Sequence, residues 1–160
     1  MVRLIIFDVY GTIIKADHAD GIIRPGLREL MNFYKKQFKV TCSDGKKEIV
    51  EDDLISVGIY DDFDNHYYYE DTTIKNGRLL KDLGKICEDC ALPVSEAVFI
   101  GDNYVRRDWN SAKEFGMTFV KVPQFRHELP SDGDRFASED HVIYEDPDRP
   151  FSFASLIGKL

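Results

Sequence analysis

The 160-residue sequence has no long apolar run, no excess of positive charge, no internal repeat and no low-complexity tract. Each absence removes a class of function. The first apolar stretch, Leu4-Ile5-Ile6-Phe7, is short and has Asp8 directly behind it, so it reads as neither a secretory signal nor a membrane span. The expected location is therefore cytoplasmic. A formal net charge of −8 with a pI near 5.0 gives no long-range attraction to nucleic acid or to an anionic membrane. Cysteine is sparse: Cys42, Cys87 and Cys90 form an odd set, expected to be reduced. Cys87 and Cys90 have CxxC spacing but no second pair or nearby His to complete a zinc set, and they read as structural thiols in a helix.

What is present is enough hydrophobic sequence, 43%, for one core and one domain spanning residues 1–160. The organising stretch is residues 3–12, Arg-Leu-Ile-Ile-Phe-Asp-Val-Tyr-Gly-Thr. Four consecutive apolar residues suit a strand buried on both faces, at the centre of a parallel sheet. The strand stops at Asp8, and Gly11 lets the chain turn. A carboxylate so placed is presented at the carboxyl edge of the sheet, where open α/β folds bind ligands; the alternative is a turn-capping Asp.

Further along, residues 13–24 read as two short strands around a polar loop, a hairpin projecting over that strand end. Pro25-Gly26 opens a helix with Leu27, Leu30, Met31, Phe33 and Tyr34 near helical spacing and Lys35-Lys36 at its end. Phe38 to Cys42 is a strand ending in Ser43-Asp44-Gly45. Residues 47–57 suit an amphipathic helix, with Ile49, Val50, Leu54 and Ile55 inward and Gly58 closing it. Asp61 to Asp64 is an acidic loop, read as solvated, with a weak cation site as the alternative. His66-Tyr67-Tyr68-Tyr69 reads as an edge strand, with a base-stacking platform as the sharper alternative. Asn76-Gly77 marks a turn, and a helix is expected from Leu80 to Ala91. Residues 97–100 form an apolar strand followed by Gly101-Asp102-Asn103, then a helix over 107–115 stopped by Gly116 and a strand over 118–122. Residues 124–140 read as a long surface loop, 141–144 as a last strand and 152–160 as a short helix. The alternation predicts an α/β fold with a mainly parallel sheet.

Three strand ends thus deliver Asp8, Ser43 and Asp102 to one crevice, with a lysine from Lys75 or Lys81. Two carboxylates with other oxygen donors suit a hard cation such as Mg²⁺, which keeps waters and substrate phosphate oxygens. A hydroxyl and a lysine suit the remaining phosphate oxygens. The set suits phosphoryl transfer with a carboxylate nucleophile.

At these residues the chain resembles the haloacid dehalogenase superfamily of hydrolases. The family's first motif, Asp-x-Asp-Gly-Thr, is similar to Asp8-Val9-Tyr10-Gly11-Thr12; its second, a Ser or Thr ending a strand, to Ser43-Asp44; its fourth, Gly-Asp with a further acidic residue, to Gly101-Asp102 and Asp108. The resemblance implies a Rossmann-like three-layer domain with helices on both faces, residues 13–24 as the flap, and no large cap domain. It implies a Mg²⁺-dependent phosphatase acting through an aspartyl-phosphate on Asp8. Metal would be held by Asp8, the Tyr10 backbone carbonyl and Asp102; Thr12, Ser43, Asp44 and Lys81 or Lys75 would meet the phosphorylated substrate, either a small molecule or an exposed phosphate on a macromolecule.

The departures carry as much information as the matches. Tyr10 stands where the family's phosphatases have an acid–base Asp, and a phenol with a pKa about 10 is a poor substitute. Loss of such a group slows ester hydrolysis by roughly 10²–10⁴-fold. Dehalogenases of the family share that Tyr, and they are the alternative enzyme; a binding or regulatory protein that kept the fold but lost turnover is the alternative from another class. Asp108 lies one residue further from Asp102 than the pattern has it, which leaves a helix-capping role open, and Asn103 is neutral. Asp17 or His18 at the flap tip is a substitute acid, and Arg106 and Arg107 are candidates for a second anionic group on the substrate.

Overall fold

The computed structural model describes residues 1–16, 21–125, 141–142 and 150–160. In chain order its elements are β1 (Leu4–Phe7), α1 (Leu27–Phe33), β2 (Phe38–Cys42), α2 (Lys47–Ser56), β3 (Asn65–Tyr67), β4 (Thr72–Lys75), β5 (Arg78–Lys81), α3 (Leu83–Asp89), β6 (Ala97–Gly101), α4 (Arg107–Phe115), β7 (Thr118–Lys121) and β8 (His141–Val142). Six strands make one parallel sheet in the order β3-β2-β1-β6-β7-β8, while β4 and β5 pair antiparallel as a separate hairpin. The chain leaves β1 toward β2 on one side and later returns to β6 on the other. That reversal opens a crevice beyond the carboxyl end of β1.

Alternation along the strands divides the apolar residues between two layers. Ile5, Phe7, Val98, Ile100 and Val120 face Leu27 and Leu30 of α1, Val50 and Leu54 of α2, and Phe153 and Leu156 near the C-terminal end. Leu4, Ile6, Val40, Phe99 and Phe119 face Leu83 and Ile86 of α3 and Ala112 of α4. Every residue of β1 is fully buried, and each such side chain stabilises the fold by about 1.5–3 kcal/mol. The result is the expected three-layer α/β arrangement with helices on both faces of the sheet.

Residues 13–15 and 22–24, the described legs of the expected hairpin, run side by side but meet at a single bridge, Ile14 with Ile23, flanked by Lys15 N–H to Ile22 O and Arg24 N–H to Ile13 O. Buried Arg24 fastens it. The guanidinium donates to the carbonyls of Gly11, Thr12 and Pro123 and lies over the rings of Phe125 and Phe151. Phe125 N–H meets Gly11 O and Ala16 N–H meets Phe125 O, so the segment after β7 runs beside the flap base. Among the described residues no cap domain is inserted, and no helix is long and apolar enough to cross a membrane.

Several boundaries differ from the sequence reading. The first helix stops at Phe33, short of Lys35-Lys36. Only Val50 and Leu54 of α2 reach the core, because one i,i+4 pair is enough to cover that part of the sheet; Ile49 and Ile55 face solvent. The helix expected from Leu80 begins at Leu83, where the Asp82 side chain accepts from Lys85 N–H. Leu80 and Lys81 belong to β5 instead. The cause is the turn: Asn76 (φ 51°) and Gly77 (φ 72°) are both left-handed, which closes a two-residue hairpin between β4 and β5. The C-terminal helix is a short 3₁₀ turn, Phe153–Leu156. The edge strand is β3, which covers Asn65–Tyr67 and stops before Tyr68 and Tyr69, and Tyr67 and Tyr68 are buried and hydrogen-bonded to Asp89 and Glu51, so they offer no stacking platform. Residues 126–140 of the expected loop, and 143–144 of the last strand, lie outside the described residues. All three cysteines are free thiols, and burial pushes the Cys42 thiol up and the Cys87 thiol up to about 11.

Candidate active site

Asp8 emerges from β1 into the crevice and is held at both oxygens. Thr12 Oγ1 donates to Oδ2 at 2.8 Å, and Lys81 Nζ meets Oδ1 at 2.6 Å. The Thr12 hydroxyl also accepts from the backbone N–H of Asp102 at 3.0 Å, so it ties the ends of β1 and β6 together. This completely buried hydroxyl is engaged on both sides by the protein and does not face a substrate as the sequence reading had it.

Lys81 enters from the end of β5, fully enclosed, and its ammonium also meets Asp108 Oδ1 at 2.6 Å. Burial works to lower its pKa, but the carboxylates of Asp108 and Asp8 overcome that and hold it well above the ordinary lysine value. Its competitor Lys75 lies on β4 against the ring of Phe115, on the outer side of the hairpin beside Asn110 and Glu114. Of the two, Lys81 is the lysine whose ammonium reaches Asp8. Its peptide N–H donates to Ser111 Oγ of α4, which fixes the register of β5 against the helix carrying Asp108.

Asp108 does not cap a helix: it lies inside the first turn of α4, buried, accepting from Lys81 and from Asn103 N–H. Burial first, and then the neighbouring Asp8 carboxylate, raise its pKa well above the ordinary value against the pull of Lys81. The extra residue in the connection from Asp102 is absorbed by three left-handed residues, Asn103 (φ 59°), Val105 (φ 51°) and Arg106 (φ 59°). For β-branched Val105 that conformation is strained. The coil brings Asp108 directly under Gly101, where a Cβ atom would collide with the carboxylate. Glycine at 101 is what lets the acid approach the strand.

Asp8, Asp102 and Asp108 each offer an oxygen, all within 4.8 Å of one another, and all three residues are buried. Three buried acids share one ammonium, which pairs with Asp8 and Asp108, and together they make a cluster of hard oxygen donors. The donor set fits Mg²⁺.

These residues line one wall of an open cavity of about 300 Å³, completed by Tyr10, Ser43, Asp44, Gly45, Tyr104, Val105 and Arg107. Buried Ser43 accepts from Gly45 N–H at 3.0 Å, a turn that keeps its side chain at the end of β2. Asp44 is turned toward Arg107, with Oδ2 3.3 Å from Nη1. Tyr10 donates its phenolic O–H to Asp53 Oδ2 on α2 at 2.6 Å. Burial and that carboxylate push the phenol well above its ordinary pKa, so Tyr10 is no base near neutral pH. Asp53 and Arg24 were absent from the sequence reading, and neither has a local signal: their partners lie far away in the chain. Asp17 and His18 lie outside the described residues.

No protein-family model matches the chain, and no curated protein matches its sequence. Solved structures do match its fold. A predicted phosphoglycolate phosphatase from Haemophilus somnus 129pt aligns with a TM-score of 0.62 at 12% identity, over 82% of this chain and 90% of that one. L-2-haloacid dehalogenase from Xanthobacter autotrophicus aligns with a TM-score of 0.59 at 14% identity, over 84% and 81%. The phosphatase-domain N-terminal part of a Bacteroides fragilis protein, complexed with Mg, aligns with a TM-score of 0.57 at 17% identity, over 78% of this chain and 37% of that one. The architecture is a three-layer Rossmann-like α/β domain with an acidic crevice at the carboxyl edge of its sheet. Within that class, the chain has the fold of the haloacid dehalogenase superfamily.

Proposed function

We propose that the protein is a Mg²⁺-dependent phosphatase in which Asp8 is the nucleophile. The observation that carries this reading is the arrangement around Asp8: a carboxylate at the end of a buried central strand, steadied by Thr12 and Lys81, beside Asp102 and Asp108 on one wall of an open cavity. Asp8, the Tyr10 backbone carbonyl and Asp102 would hold Mg²⁺, which when bound supplies positive charge to the phosphoryl oxygens. An Asp8 oxygen attacks phosphorus and the bond to the leaving oxygen breaks. Water then attacks the same phosphorus, the Asp8–phosphorus bond breaks, and inorganic phosphate and free Asp8 result. Ser43 lines the cavity that the phosphoryl group enters, and Lys81, enclosed against Asp8, offsets the charge from behind the nucleophile. Asp108 holds the Lys81 ammonium in place between two acids.

Tyr10 shapes the choice of substrate. Its O–H is directed at Asp53, so protonation of an alkoxide leaving group is poorly served, and esters with poor leaving groups turn over slowly. Acyl and aryl phosphates, whose leaving groups need little protonation, are the favoured class. Halide displacement is the weaker reading, because the cavity wall carries Asp8, Asp44, Asp102 and Asp108, and an acidic wall is a poor cradle for a departing anion.

The test is phosphate release from aryl, sugar and acyl phosphates, with and without Mg²⁺, for the wild type and Asp8→Asn. Turnover that needs both Mg²⁺ and Asp8, and is faster on acyl than on sugar phosphates, is expected. Halide release from a 2-haloacid by a chain inert to every phosphate would establish the dehalogenase instead. Stabilisation by Mg²⁺ with no turnover at all would point to a binding protein.

A further inference from the structure

Arg107 holds a position that the phosphoryl chemistry above does not use. It opens α4, directly after the strained coil formed by Asn103, Val105 and Arg106, and its side chain lines the same cavity as Asp8. Strain of this kind persists where the surrounding structure fixes a functional geometry. Here it delivers a guanidinium to the cavity lip.

The contact with Asp44 is a weak use of that group. A charge-assisted Arg–carboxylate pair prefers about 2.7–2.9 Å and a two-pronged geometry. The Asp44 pair is 3.3 Å long and involves one oxygen and one nitrogen, with both side chains about one-third exposed. The other carboxylate oxygen, Asp44 Oδ1, is enclosed with no hydrogen-bond partner among the described residues. Among those residues the Arg107 guanidinium meets no other acceptor, so most of its five donors are left for solvent or a ligand in the cavity that Arg107 lines. Tyr104 and Val105, both exposed, sit on the same lip and offer apolar surface to a carbon skeleton.

We propose that Arg107 is the specificity-determining residue of this site, and that it recognises a carboxylate on the organic part of a phosphomonoester substrate. Asp44 occupies that carboxylate's place when the site is empty. When the ligand binds, Arg107 exchanges the single long contact to Asp44 for a two-pronged pair with the ligand. This reading rests on the proposed phosphatase function for its choice of phosphate ligand, so its test is made by binding and does not depend on turnover.

The experiment uses the full chain carrying Asp8→Asn, with Mg²⁺ present, and measures by calorimetry the affinity for phenyl phosphate and for its 3- and 4-carboxylate derivatives. The better carboxylated ester is expected to bind at least about tenfold tighter than phenyl phosphate, a ratio worth about 1.4 kcal/mol. Adding Arg107→Met brings the ratio close to one, and Arg107→Lys, which keeps the charge but not the fork, leaves an intermediate value. Adding Asp44→Asn widens the ratio, because the competing carboxylate is gone. A purely structural ion pair would weaken all esters alike in both variants and leave the ratio untouched. An unchanged ratio, a ratio near one in the parent, or no binding of any ester overturns the proposal. Failure of the phosphatase reading appears separately, as wild-type chain that binds these esters but releases no phosphate.

Discussion

Two of the buried cations among the described residues, Lys81 and Arg24, are handled in opposite ways. Lys81 lies between the carboxylates of Asp8 and Asp108, a point charge among point charges. Arg24 directs its fork at three backbone carbonyls and lies over two aromatic rings, with its charge spread over dipoles and π-faces. The residue types follow from the tasks. An ammonium is compact and carries its charge at one atom, which suits a crowded acidic crevice; a planar guanidinium can reach several carbonyls at once and stack as well. The difference teaches that burial of charge by itself does not mark a reactive centre. What marks it is burial beside mutually repelling acids, an arrangement with no structural benefit unless something else is to be bound there.

The comparison breaks or sharpens under three measurements. Lys81→Met is expected to do the most damage: turnover on an acyl phosphate falls by about 10²–10³-fold, and urea unfolding shows a loss of about 3–5 kcal/mol because two buried acids face each other unneutralised. Arg24→Met should cost less and differently. Its carbonyl partners lose their donor, for a loss of about 1–3 kcal/mol in the same urea experiment, while turnover falls far less than in Lys81→Met. Equal damage to turnover by both variants would mean that fastening the flap is part of the chemistry.

The smallest effect concerns His66, where burial wins. Its ring is half-buried, stacked on Tyr60, with Nδ1 near Thr41 Oγ1 and Nε2 near Tyr60 O. Burial outweighs the Tyr60 carbonyl and the more distant Glu51 and Asp61, and its pKa falls below the ordinary 6.5. The unfolded chain therefore takes up the proton first as pH drops. This contribution to stability is fully present above the unfolded value and is lost as pH falls through about 6.5 and below, levelling off once the folded ring also protonates. Denaturation midpoints at pH 7.5 and pH 5.5 should differ less in His66→Gln than in wild type; an unchanged difference would refute this.

The sequence was most readable where the fold uses short-range rules. The apolar run of β1, the strand Phe38–Cys42 and the helix Arg107–Phe115 stood out from periodicity and from the Gly that follows each turn or helix end. So did Asp8, Ser43 and Asp102, because a polar residue ending a buried strand is a local signal. The β4–β5 hairpin escaped because Leu79-Leu80 also suits the start of a helix, and Asn76-Gly77 was read as a turn without asking what it connects. The competition between Lys75 and Lys81 could not be decided until the hairpin register put Lys81 on the inner end. Arg24 and Asp53 were invisible for a different reason. Their meaning lies in the carbonyl of Pro123 and the phenol of Tyr10, contacts that no local pattern records.

The Thr12 hydroxyl has a further consequence. A hydroxyl owns one hydrogen, and because its oxygen accepts from the Asp102 amide, that hydrogen runs toward Asp8. The three groups make a wire of fixed polarity, amide to hydroxyl to carboxylate, that joins Asp102 to Asp8 from distant parts of the sequence. Hydrogen bonds in series polarise one another. Whatever changes the electron density on Asp8 Oδ2 is therefore felt at the backbone of Asp102, and the amide proton of Asp102 becomes a built-in gauge of the nucleophile's state, readable by NMR without touching the site.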